Sequence, residues 1–240
     1  MIICSNLISM NDNRKVYGSF HDVPFTNQYS SYSNNPQRST FQFSRTEILH
    51  LVVSVIVLTI AFSFAFVRIG SQGWSISSFL YVVPQSFLAI ITAFVCHELA
   101  HKYMGQKYGY WSEFRMFPQG LLLALFFGVL FGIVFAAPGA VQIYGSPGKR
   151  QYGHISLAGP LTNIGISLVF LLLFFFTSGI IGSIAYFIGY INVFLALFNL
   201  LPFGPLDGRK VMSWRFDIWI SVFIVSIVLF GIFLTRGSIL

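Results

Sequence analysis

Phe94-Val95-Cys96-His97-Glu98-Leu99-Ala100-His101-Lys102 closes a long apolar run and sets two imidazoles and a carboxylate where the sequence otherwise avoids polar groups. His97 and His101 are four apart, so on a helix they stand one turn above each other on one face. That is the geometry for two ligands to one Zn²⁺, with Glu98 about 100° round the helix and free to act as a base on water. The plain alternative is a pair of helix-surface histidines at a chance spacing. With five His in 240 residues, His-Glu-x-x-His arises at random in roughly one such chain per thousand. Ionisable groups at membrane depth are functional by default, which favours the metal reading.

Working outward, the surroundings are those of a membrane protein. Apolar residues make up 55% of the chain, charged residues 9%, and mean hydropathy is +0.75. A soluble domain carries about 25% charge, so the composition implies an integral membrane protein. The 28 Phe suit helices that face lipid. Net charge is +7, with the basic residues at the ends of apolar runs. That pattern reads as topology and lipid-headgroup contact, and it argues against nucleic-acid binding. Cys4 and Cys96 lie far apart and imply no disulfide framework. The N-terminus has no basic flank before an apolar core, so no signal peptide is expected.

Residues 1–44 are rich in Asn, Ser, Gln and Tyr without helical or strand period, and read as a disordered polar tail. Residues 45–240 are expected to form one membrane domain, with its core at about 76–212. The expected spans are residues 48–69, 76–104, 155–177, 180–201 and 217–235, each near the roughly 20 residues a bilayer needs. Gly70-Ser71-Gln72-Gly73-Trp74 separates the first two, and Pro84 should kink the second. Residues 120–141 are apolar but broken by Gly128, Gly132, Pro138 and Gly139. Residues 143–154 and 202–215 read as polar loops.

A catalytic zinc usually takes three protein ligands. Of the seven acids, Asp12 and Asp22 lie in the tail, Glu47 and Asp217 start helices, and Glu113 lies in a loop. Asp207 is the one acid in a Pro/Gly-shaped break directly after an apolar span, in Asn199-Leu200-Leu201-Pro202-Phe203-Gly204-Pro205-Leu206-Asp207-Gly208. Such irregular backbone is tolerated at membrane depth only inside protein or beside water. Its ordinary alternative is a loop Asp that caps the next segment.

His97-Glu98-Leu99-Ala100-His101, followed about a hundred residues later by Asn199-Leu200-Leu201-Pro202 and Leu206-Asp207-Gly208, resembles the site-2 protease family of intramembrane zinc metalloproteases (peptidase M50-like). Ile155-Ser156-Leu157-Ala158-Gly159-Pro160-Leu161-Thr162-Asn163 is similar to the Ala-Gly-Pro-x-x-Asn opening of that family's middle core helix. The resemblance covers about residues 85–212. It implies one Zn²⁺ per chain held by His97, His101 and Asp207, with Glu98 as general base and Asn199 as side-chain donor to the oxyanion. Asn163 would help hold substrate, or else make an interhelical hydrogen bond. Two departures stand out. Gly208 is followed by Arg209 where the family often has a second Gly, and the 120–141 insert is longer than in the simplest members.

The ligands must meet, and that constrains topology. His101 and Asp207 both lie near the exit ends of their spans, so an even number of crossings must separate them. If 120–141, 155–177 and 180–201 all crossed, the count would be odd; the insert is therefore expected to be re-entrant or broken. Basic residues agree. With the N-terminus inside and a re-entrant insert, only Arg68 and Arg236 of the 14 Lys and Arg lie outside. A crossing insert would also send Lys149, Arg150, Arg209, Lys210 and Arg215 out, against the positive-inside bias.

The expected fold is an all-α multi-pass membrane protein of about five full transmembrane helices plus this insert. Short β-strands at 115–118 or 140–144 would lie beside the active site and receive substrate by strand addition. The expected function is an intramembrane zinc endopeptidase acting on membrane-spanning protein segments in the cell membrane, its site facing the cytoplasm. Two rivals compete: an inactive protein of the same fold that binds transmembrane helices, which should have lost a ligand or the Glu, and a metal transporter, which should line a continuous path with polar residues. His50 and His154 are expected to be structural or solvated.

Overall fold

The protein's structure is a computed structural model, and it describes residues 41–69, 75–134 and 138–237. Of the tail expected to be disordered, residues 1–44, only 41–44 are described, and there Phe43 packs against Lys102; residues 1–40 and the break at 70–74 lie outside the described residues. Five helices are long and apolar enough to cross a membrane, within Arg45–Val67, Ile76–Lys107, Lys149–Phe176, Gly179–Asn199 and Phe216–Arg236. The all-α multi-pass fold is thus present, with one small sheet added.

Helix α1 (Arg45–Ile69) starts where the Ser44 hydroxyl accepts the Glu47 N–H at 3.1 Å. Helix α2 (Ile76–Ile90) starts in the same way, with the Ser75 hydroxyl accepting from the Ser78 N–H. It contains Pro84 and runs without a break into a π-helical turn, Ile91–Val95, and then into α3 (Cys96–Lys107). The wide turn therefore immediately precedes His97. Such turns recur at functional sites because the inserted residue re-aims the following helix face.

Strand β1 (Trp111–Met116), helix α4 (Pro118–Phe131) and strand β2 (Gly139–Tyr144) make up the insert and its borders. The strands pair antiparallel, with Trp111 opposite Tyr144 and Met116 opposite Gly139. The chain therefore returns after α4 to the point where it left. Fourteen residues of helix rise only about 21 Å, short of a hydrocarbon core of about 30 Å. The paired strands thus bring the chain back to the end it left, as the ligand parity demands of the insert. The polar stretch containing Glu113, read as a loop, is strand β1.

Helices α5 (Lys149–Phe176) and α6 (Gly179–Asn199) form a tight antiparallel hairpin, followed by short α7 (Asp207–Trp214) and then α8 (Phe216–Gly237). Two corrections concern polar segments. Helix α5 begins at Lys149, so His154 is helical, and Asp207 is the first residue of a helix rather than a loop residue. In both places the helix starts with polar or charged residues, which carry no apolar period.

Because lipid is as apolar as Leu, helices in a bilayer associate through close packing and hydrogen bonds. Ser167 donates to the Gly189 carbonyl at 2.8 Å, joining α5 to α6, and Asn192 donates to Thr92 at 3.0 Å, joining α6 to the π turn. Leu172, Val169, Ile224 and Val228 point outward, as suits a lipid-facing surface. The apolar core around Phe94, Phe114, Ile188 and Ile191 joins the π turn, β1 and α6.

One ionic contact fixes the end of the membrane domain at which α1 begins. Lys102, directly after His101, is fully buried and paired with fully buried Glu47 at the start of α1. Glu47 uses its other oxygen to accept the Phe114 N–H of β1 at 3.0 Å. The Phe43 ring, from the end of the polar tail, lies 4.0 Å from the lysine ammonium. One acid thereby joins α1, α3 and β1.

Candidate metal centre

The helical spacing at His97 and His101 does what it should: their Nε2 atoms lie 3.0 Å apart, on a buried face of α3. Across from them, Asp207 Oδ2 lies 2.9 Å from His101 Nε2 and 3.4 Å from His97 Nε2. Two local features bring these segments so close. In α5, Gly159 packs directly on the two imidazoles, and a Cβ there would overlap both rings. In α7, Gly208 packs under the Leu200 and Leu201 carbonyls, so that the helix starting at Asp207 folds back on the end of α6. The Trp219 indole N–H donates to the Leu200 carbonyl at 2.8 Å and holds that turn in place.

The donor chemistry fits a metal cation. His101 Nδ1 lies 2.7 Å from the Ile155 carbonyl, which can only accept, so Nδ1 carries the proton and Nε2 offers a lone pair to the centre. Three electron-pair donors then face one another at 2.9 to 3.4 Å. A single proton can bridge only two of them, whereas a cation can satisfy all three. Ligands bound tetrahedrally to zinc at ~2.0–2.1 Å stand about 3.3 Å apart, close to this spacing. His97, His101 and Asp207 form the one such cluster among the described residues.

Glu98 projects beside the cluster and accepts the Val141 N–H of β2 at 3.2 Å. Asp207 Oδ1 accepts from the Lys210 ammonium at 3.0 Å. Burial pushes the Asp207 carboxyl up, but His101, the hydrogen bonds to both imidazoles and the Lys210 charge outweigh it and hold the group well below the usual carboxylate range. Burial by itself lowers the Lys210 ammonium, and the Asp207 carboxylate more than restores it.

All of these residues line a cavity of about 980 Å³, walled on one side by β2 from Gly139 to Ile143 and on the other by Phe198, Asn199, Pro205 and Leu206. Asn199 lies on the last turn of α6, with its amide donating to the Leu195 carbonyl at 3.0 Å. Asn163, one turn beyond Gly159, is fully buried and is not among the cavity-lining residues. Neither polar atom of its side chain has a partner among the described residues. His154 bonds Tyr108 and stacks edge-on against Trp214, outside the cluster. His50 also lies outside it. The sequence motif contained Gly159 without assigning it a role, and it gave no sign of the Ile155 carbonyl or of Lys210. Gly159 had a visible signal, a Gly-Pro pair inside a helical span.

A His-Glu-x-x-His helix completed by a distant Asp, buried among membrane-spanning helices, defines the class of membrane metallopeptidases. The profile of peptidase family M50 matches residues 177–228. "Putative zinc metalloprotease MJ0611" of Methanocaldococcus jannaschii is 40% identical over 189 residues, covering 77% of this chain and 92% of that protein. "Putative zinc metalloprotease YwhC" of Bacillus subtilis is 30% identical over 157 residues, or 56% of this chain and 70% of that protein. "Zinc metalloprotease MJ0392" of M. jannaschii is 30% identical over 52% of this chain but only 32% of its own length. No solved structure gives a significant match. The chain belongs to peptidase family M50.

Proposed function

We propose that the protein is an intramembrane zinc endopeptidase that cleaves membrane-spanning protein segments. The observation that carries this reading is the convergence of His97, His101 and Asp207 beside Glu98 on the wall of a cavity that β2 also lines. When bound, the zinc supplies Lewis acidity toward water and the scissile carbonyl. Glu98 is the general base: it takes the proton of the attacking water and returns it to the departing amine. Asn199 still has one amide N–H after its bond to Leu195 and donates it to the developing oxyanion, a contribution of about 3–4 kcal/mol.

The bond to be cut must leave its helix and become extended. Phe114 and Val141 face each other in the sheet, and both N–H groups point outward, to Glu47 and to Glu98. Each of these edge N–H groups is taken by a carboxylate, but only β2 lines the cavity, with Glu98 beside it. Of the two strands, β2 receives the unwound substrate segment. His101 bonds the first turns of α5, and Lys102 pairs with the start of α1. The site thus lies toward the end at which α1 begins, and the distribution of Lys and Arg favours a cytoplasmic position for that end.

The test is cleavage of a transmembrane-helix substrate by purified protein with bound zinc. Glu98→Gln should abolish cleavage while zinc stays bound, and full activity in that variant would reject the reading.

A further inference from the structure

We propose that Lys210 is a positioning residue for the Asp207 ligand, an inference that rests on the zinc-peptidase reading above. The backbone of Asp207 is fixed by Gly208 against the end of α6 and by buried Val211 in the same short helix. Its side chain still has to choose between two chemically equal oxygens. The structure divides them: Oδ1 takes the Lys210 ammonium at 3.0 Å, and Oδ2 faces the two imidazoles at 2.9 and 3.4 Å. Lys210 stands one turn further along α7 and lines the same cavity, with the Tyr152 ring 5.8 Å from its ammonium.

An ordinary i,i+3 ion pair on a helix surface contributes only a few tenths of a kcal/mol. This pair differs because the Asp207 side chain is 9% exposed and its second oxygen already belongs to the cluster. Rotating the carboxylate would break a charge-assisted bond on one side and withdraw a ligand on the other. Lys210 therefore holds Asp207 to one-oxygen presentation, at the cost of a second positive charge near the metal. Orientation and repulsion act in opposite directions on metal affinity, so their balance is measurable.

The experiment is zinc affinity of the full chain in detergent, by competition with a chromophoric chelator, for wild type, Lys210→Met and Lys210→Arg. Loss of a hydrogen-bond partner behind a metal ligand typically weakens binding by 10–100-fold. Lys210→Met should show that loss while the metal-free protein keeps the circular-dichroism spectrum of wild type, and Lys210→Arg, which keeps a charged donor, should stay near wild type. Unchanged or tighter zinc binding in Lys210→Met overturns the proposal, as does an equal loss in Lys210→Arg. Wild-type protein that takes up no stoichiometric zinc would instead overturn the underlying reading.

Discussion

Glu98 and Val141 are joined by a hydrogen bond of 3.2 Å from the strand N–H to the carboxylate, linking the acid of α3 to the cavity-facing edge of β2. The contact sets the acid against the strand that would carry substrate. A hydrogen bond to a charged group contributes about 1.5–3 kcal/mol.

Val141→Pro removes that N–H without removing a bond between β1 and β2, because the group points outward. Turnover of a transmembrane substrate should fall by about 10-fold or more, the rate equivalent of that energy. Zinc content, measured on the same preparation, should not change.

Gly159→Ala places a methyl group on both imidazoles. Neither ring can retreat freely, since His101 is held by the Ile155 carbonyl and His97 is buried. The variant should lose zinc and activity together while remaining a folded membrane protein. Elemental analysis beside circular dichroism checks this.

Lys102→Met leaves the Glu47 carboxylate buried with no cation. Breaking one partner of a buried pair costs about 3–5 kcal/mol. The variant should unfold in detergent at clearly lower temperature. The double variant Glu47→Leu, Lys102→Met should recover part of the loss, though the Phe114 N–H would then lack its acceptor. A reporter of membrane topology fused after Gly148 should read the same side as one fused before α1, because Met116 and Gly139 are paired and the insert returns to its own side.

The spans were legible because lipid imposes one simple requirement, some twenty apolar residues in a row. The insert was legible indirectly: His101 and Asp207 must share a side of the membrane, and that logic excludes a third crossing between them. Residue type did not mark the π turn at Ile91–Val95, since its residues are those of any apolar helix. The expected strand at 140–144 coincides with β2 and that at 115–118 overlaps the end of β1, but the first part of β1 was hidden because Ser112 and Glu113 look solvated in sequence and are buried by pairing and packing. Glu47 and Lys102 are 55 residues apart, and no local period connects them. A charge inside a span does demand a partner, however, and few acids were available to supply one. That His97, His101 and Asp207 come together beside Glu98 was legible from spacing and resemblance; their contacts with the Ile155 carbonyl, Gly159 and the Lys210 ammonium depend on how separate helices pack, which spacing does not encode.

The central claim is that His97, His101 and Asp207 together hold one metal ion. Its most direct measurement is the zinc content of purified wild type, Glu98→Gln and Asp207→Ala. The account predicts one zinc per chain in the first two and little or none in the third. Full zinc in Asp207→Ala would contradict it.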